Sequence, residues 1–157
     1  MSVANTGSVK KAPQKSPRHR ARELALQGIY QWRITASDEA KIEKQISAEK
    51  NIGRYDKELF SRLLRGALGA HADIELLIIP HLDRALEELS PVEFAVLLLG
   101  TFELSQNLEV PYKVVINESV ELAKTFGGTD GHKYVNGVLD RLAAQLRSAE
   151  FVGRGKV

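Results

Sequence analysis

The stretch at residues 89–107, "LSPVEFAVLLLGTFELSQN", decides the fold. Ser90 offers a hydroxyl at the N-cap and Pro91 supplies a fixed φ at the first helical position. Glu93, three residues after the cap, completes the pattern of a capping box. Beyond this start the apolar residues do not keep to one stripe. Phe94, Ala95, Val96, Leu97, Leu98, Leu99, Phe102 and Leu104 go round the helix, so it must be covered on most sides. Its longest apolar run, residues 94–102, falls well short of the ~20 residues needed to span a bilayer. A helix of this kind is the centre of a helical bundle, and the rest of the chain must supply the helices that surround it.

The neighbouring segments have that character. Upstream, "SPRHRARELALQGIYQW" (residues 16–32) opens a helix at Ser16 and Pro17 that runs to about residue 34. Ala21, Leu24, Ala25, Gly28, Ile29 and Trp32 share one side of it. A second helix follows Ser37 with Ile42 and Ile46, and "NIGR" breaks it. A third spans about 55–70, and a fourth about 72–88 with a kink near Pro80. After the central helix, a sixth starts at Pro111 and ends at Gly127 and Gly128. A seventh opens at Thr129 or Asp130 and runs to about 148, with Val135, Val138, Leu139, Leu142 and Leu146 as its stripe. No convincing strand alternation appears. The expectation is one all-α domain over residues 16–149, with a disordered basic arm at 1–15 and a flexible tail at 150–157.

Charge is unevenly placed in the 157 residues. The net charge of +2 conceals a segment from Met1 to Arg22 with six basic residues and no acidic one. The remaining 16 basic and 20 acidic side chains lie from Glu23 onward. A basic arm before a mildly acidic body is read either as a nucleic-acid contact or as a solvated tail. There is no cysteine, which excludes disulfides and thiolate metal sites and fits a reducing cytoplasm.

Catalytic patterns are absent. His19, His71, His81 and His132 are scattered without a close metal-ligand spacing, and no GxSxG, GxGxxG or GxxxxGK[ST] motif occurs. No metal or cofactor is expected. Asn117, Glu118, Asn136 and Asp140 are read as polar groups that satisfy one another or buried backbone. "FGGTDGHKY" (residues 126–134) is Gly-rich and opens a helix, either as an anion site or as an ordinary helix–helix turn.

The first helix poses a question of its own. A helix start favours acids, yet this one carries Arg18, Arg20 and Arg22. Its polar side also holds Tyr30, among Glu23, Gln27 and Arg33. Guanidinium groups grip phosphates and a ring stacks on an unpaired base, so the combination suits RNA. The alternative is that Tyr30 packs on a neighbouring helix.

Three segments carry a family resemblance. They are "RHRARELALQGIYQW", "PHLDRALEELSPVE" and "ELSQNLEVPYKVVINESVELAKTFGGTDGHKYVNGVLDRL". Over about residues 18–147 the chain resembles the NusB family of bacterial transcription antitermination factors. The resemblance implies seven helices in two packed three-helix subbundles and no enzyme activity. It implies binding to single-stranded boxA RNA in nascent ribosomal RNA transcripts, together with the ribosomal protein NusE, in the RNA polymerase antitermination complex. RNA phosphate would then supply the negative charge that the arginine-rich helix start lacks.

By matching position, the resemblance places Arg18, Arg20, Arg22, Tyr30, His81, Asp130, Lys133 and Tyr134 on the RNA surface. Asp130, being an acid, is expected to cap a helix or accept from a base. The resemblance also implies that Glu93, with Glu87 and Glu88, would face NusE, whose basic character suits an acidic surface. The chain departs from the family pattern at Phe94, where relatives often carry Arg or Lys, at Gly100, where alanine is common, and at His81, where tyrosine is common. "VLLLGTFEL" is more apolar than usual, and exposed apolar surface there leaves a homodimer open. Two other readings are a related RNA-binding module serving ribosomal RNA modification, and a helical scaffold that binds proteins only.

Overall fold

Pro91 starts the helix around which the others are arranged, as the capping pattern predicts. The structure, a computed structural model, describes residues 15–128 and 130–155, and among these it is helical with no strand. Eight α-helices are seen: α1 (Pro17–Thr35), α2 (Glu39–Ser47), α3 (Lys57–Gly69), α4 (His71–Ile78), α5 (Pro91–Gln106), α6 (Tyr112–Phe126), α7 (Gly131–Leu146) and α8 (Ser148–Gly155). Seven were expected. The extra one, α8, lies where the sequence suggested a flexible tail, and Phe151 secures it by stacking on Tyr112 at 4.6 Å. The arm, apart from Lys15, lies outside the described residues, as does Thr129.

Local chemistry sets the helix starts. Ser16 Oγ accepts from the His19 amide at 3.0 Å, Asp38 from Lys41 at 3.2 Å and Asp56 from Leu59 at 2.9 Å. At α5 the capping box is closed. Ser90 Oγ accepts from Glu93 N at 3.1 Å, and Glu93 Oε1 accepts from Ser90 N at 3.0 Å. The expected helix over 72–88 is instead α4 followed by two short 3₁₀ turns, Ile79–His81 and Leu86–Glu88. Pro80 has no N–H to continue the α ladder and its ring crowds the preceding turn, so the helix stops rather than kinks.

Helix α5 runs between two groups. α1, α3 and α4 pack on one side of it, and α6 and α7 on the other; α2 closes over α1 and α3. All residues from Phe94 to Leu104 are buried. This corrects the expectation of exposed apolar surface in "VLLLGTFEL": the surplus is core and offers nothing to a second copy. Phe94 is fully buried, stacked 6.5 Å from Trp32 with the Arg33 guanidinium 4.1 Å from its ring centre. Gly100 lies where α5 approaches α6 and α7 closely. A Cβ there would lie 2.8 Å from Ser119 Oγ and 3.1 Å from the Leu139 methyls. Close packing uses the missing side chain.

Among the described residues two arginines are inside. Arg22 of α1 is 4 % exposed and makes two bonds to the Glu103 carboxylate of α5, at 2.8 and 3.0 Å. Asn107 Nδ2 donates to the same carboxylate at 2.8 Å. Arg147 donates to the carbonyls of Leu104 (2.7 Å), Val110 (3.0 Å), Glu103 (3.2 Å) and Asn107 (3.2 Å). It thereby takes up the Leu104 and Glu103 carbonyls near the end of α5 and places a cation at the negative end of the helix dipole. Glu150 of α8 pairs with Arg147 and accepts from the Tyr112 amide at 3.2 Å.

Two outcomes are expected in urea unfolding. Glu103→Leu alone leaves Arg22 buried with only the 3.6 Å contact to Glu118 and costs about 3–5 kcal/mol, whereas Arg22→Met with Glu103→Leu restores most of that loss. Gly100→Ala destabilises by about 1–3 kcal/mol through overpacking, against the ~1 kcal/mol that helix propensity alone would add in its favour.

Candidate nucleic-acid interface

The three arginines of α1 have three different environments. Arg18, in the first turn, is exposed, and its side chain has no hydrogen bond or ion pair among the described residues. Arg20 is half-buried; its Nε donates to the Ile52 carbonyl at 3.0 Å and its Nη1 to Glu23 Oε1 at 3.0 Å. Arg22 is the pair to Glu103 described above, with Glu118 of α6 a further 3.6 Å contact. Burial by itself would lower its pKa, but the Glu103 bond and the two carboxylates outweigh this and raise it. Arg22 therefore leaves the solvent-facing set in which the sequence placed it. Arg18 and Arg22 share a helix face one turn apart. The inner turn is covered by α5 and α6, and the outer one is open.

Glu23 is the centre of the remaining cations. It is 2 % exposed, yet Lys15 Nζ reaches it at 2.8 Å, Arg20 at 3.0 Å and His19 Nε2 at 3.5 Å. Burial pushes its carboxyl up, but the bonds from Lys15 and Arg20 more than reverse this and hold it below the ordinary carboxylate range. His19 Nδ1 in turn lies 2.9 Å from Glu118 Oε1.

Tyr30 is exposed rather than packed on a neighbouring helix. It lines a cleft with Glu23, Leu26, Gln27, Val92 and Phe126. The cleft links α1 to the start of α5 and the end of α6. Glu93 Oε2 lies 3.4 Å from where a Cβ on Gly131 would stand, so the starts of α5 and α7 are also adjacent. One face thus carries the cation cluster of α1, Tyr30, and the turn into α7.

On that turn, Lys133 and Asp130 are both exposed and 3.6 Å apart. Asp130 occupies the N-cap of α7 without a side-chain cap bond, so of the two roles expected of it the capping one is not seen. Tyr134 is half-buried; its hydroxyl accepts from the Asp83 amide at 3.4 Å, and the Arg84 guanidinium sits 4.2 Å from its ring centre. His81 Nε2 is 2.8 Å from Gln145 Oε1, and its carbonyl accepts from Arg141 at 2.8 Å, which ties the 3₁₀ turn to α7. Arg84 and Arg141 escape a reading of the sequence because only the fold brings the 79–84 segment against α7. Phe126 escapes it as one apolar residue before a glycine pair.

Glu87 and Glu88 are exposed beside Glu93 in sequence, and Glu88 Oε1 accepts from the Ala85 amide at 2.7 Å. The expected buried polar group of Asn117, Glu118, Asn136 and Asp140 does not form. Asn117, Asn136 and Asp140 face solvent, and Glu118 alone is half-buried. Among the described residues no three His, Asp or Glu side chains are placed to hold a metal ion. No helix of the structure is long and apolar enough to cross a membrane.

Comparison with known proteins agrees with this architecture. The model of the NusB family matches residues 19–144. The transcription antitermination protein NusB of Cupriavidus pinatubonensis is 54% identical over 144 residues, 92% of this chain and 86% of the relative. That of Ralstonia nicotianae is 51% identical over 154 residues, 98% of this chain and 99% of the relative. Among solved structures, NusB from T. maritima superimposes with a TM-score of 0.70 at 33% identity, covering 83% of this chain and 92% of that one. A complex of the antitermination factors NusB and NusE with double-stranded RNA contains a chain with a TM-score of 0.73 at 29% identity, covering 81% and 96%. With a family match across most of the sequence and relatives more than half identical over nearly all of it, the chain belongs to the NusB family of transcription antitermination proteins.

Proposed function

We propose that this chain is an antitermination factor that binds single-stranded boxA RNA in nascent ribosomal RNA transcripts, together with NusE, and so acts in the cytoplasm within the RNA polymerase antitermination complex. The observation that supports the RNA assignment is Arg18: an exposed guanidinium with no side-chain partner among the described residues, in the first turn of α1, where the positive end of the helix dipole lies. A phosphate supplies the negative charge that this guanidinium and the helix start lack. Tyr30 and Lys133 continue the surface, with His81 and Tyr134 at its far side. Arg20 and Lys15 serve phosphate only in competition with Glu23, so they assist rather than lead. Arg22 holds the helix in place. None of these roles calls for a catalytic step.

For NusE, Glu87 is the best-placed acid. It is exposed and without a side-chain partner among the described residues, whereas Glu88 and Glu93 each give one oxygen to a cap. An acidic patch of this kind steers a basic ribosomal protein into register.

Arg18→Ala is expected to weaken boxA binding in the presence of NusE and to reduce the slope of log affinity against log salt by about 0.7, the change expected when one fewer phosphate of a single strand is neutralised. An unchanged slope removes Arg18 from the interface. Glu87→Lys is expected to slow association with NusE at low salt while leaving RNA binding by the isolated chain intact, measured by stopped-flow mixing and by titration.

A further inference from the structure

Two large rings stand half in solvent where α1, α5 and α6 meet. Tyr30 is 40% exposed, and Phe126, the last residue of α6, is 47% exposed. Together with Leu26 and Val92 they line a cleft of about 290 Å³, whose polar members are Gln27 and Glu23. Trp32, Phe94 and Tyr134 each have a ring or a guanidinium against them. Among the described residues neither Tyr30 nor Phe126 has such a partner. Two unpartnered aromatics on one cleft mark a surface that something else covers.

We propose that the cleft takes one unpaired RNA base, stacked on Tyr30 and Phe126, with the Gln27 side chain at its edge. The inference rests on the RNA-binding reading above and adds a base-reading site to a surface otherwise built to hold phosphates. The size suits a small flat ligand, at the lower end of the range for such pockets. A nucleobase has two apolar faces and a hydrogen-bonding edge, matching aromatic walls with an amide at the rim. Gln27 is held through its Nε2 by Glu49 at 3.2 Å, so it is positioned rather than loose.

Charge selects RNA over a protein segment as the occupant. Glu23 borders the cleft and is the anchor of Lys15 and Arg20. A base seated here therefore carries its phosphates to cations, whereas a basic partner such as a ribosomal protein meets repulsion at the same rim. Phosphate contacts give affinity without sequence, and a seated base gives sequence. Phe126 is thus a base-stacking residue contributed by the end of α6, a segment outside the arginine-rich helix, and Gln27 is the group placed to read the edge.

The test uses the full chain with NusE, a boxA-like RNA, and a set of the same RNA with one abasic position each. Phe126→Leu keeps apolar bulk and removes the ring, and Phe126→Trp restores one. Phe126→Leu is expected to weaken the intact RNA by roughly 5- to 50-fold, with the salt slope unchanged, and Phe126→Trp to recover it. One abasic RNA is expected to bind wild type and Phe126→Leu equally, which identifies the seated base. If Phe126→Leu binds as tightly as wild type while Arg18→Ala loses affinity, the base site is wrong and the RNA reading stands. If wild type shows no preference over a scrambled RNA, both fall. If Phe126→Leu weakens NusE association and leaves RNA binding alone, the cleft belongs to the protein partner and the proposal is overturned.

Discussion

The bidentate bond between Arg22 and Glu103 fixes how the first helix sits on the central one. Two charges taken out of water are costly, and the cost is met only when every hydrogen-bonding group is used. Here the guanidinium gives two bonds to the carboxylate, and Asn107 supplies another from the side. Such a pair tolerates little rotation of either helix. With α1 held at this angle, Leu24 and Ile29 are buried while Gln27 and Tyr30 face outward. The functional face is a consequence of that setting.

A second constraint acts at the other end of α5. Arg147 occupies the place where the helix would leave its last carbonyls unpaired, and it draws α8 in through Glu150. Burial would raise the Glu150 carboxyl, but the Arg147 bond and charge, with the Tyr112 amide, hold it low. The end of the central helix is therefore held by side chains distant in sequence, Arg147 on its backbone carbonyls and Arg22 on the Glu103 carboxylate. This is why the most apolar helix of the chain has its polar fittings contributed from elsewhere.

Positive charge on the face is organised by an acid. Glu23 gathers Lys15, His19 and Arg20, so the start of α1 is electrostatically quieter than its composition suggests. An RNA phosphate adds to this arrangement by engaging Arg18 and competing for the others. The same sharing is seen across the turn, where Arg84 is divided between Asp83 and the ring of Tyr134. Among the described residues most arginines have an internal partner, and Arg18 and Arg54 are exposed without one.

Much of the fold is legible in the residues because it rests on short-range rules. Ser16, Asp56 and Ser90 cap helices where their spacing to the following amides allows, and the apolar residues of α5 announce a buried centre. The end of α4 is less legible, because Pro80 is compatible with a kink as well as a stop. α8 is not legible at all, since its anchor is Arg147, itself tied across the fold. Half of the site can be read the same way. Arg18, Tyr30 and Lys133 are exposed as their sequence context suggests. Arg22 is not, since periodicity places it on the same face as Arg18 and cannot show that α5 and α6 cover one turn of that face and leave the next open. Helix starts, the all-α class and the family thus follow from residue order alone, because caps and apolar spacing act within a turn or two of the chain. Which arginine is a strut and which meets solvent, and the meeting of Phe126 with Tyr30, are settled by packing, because burial and pairing depend on residues some eighty to a hundred positions away.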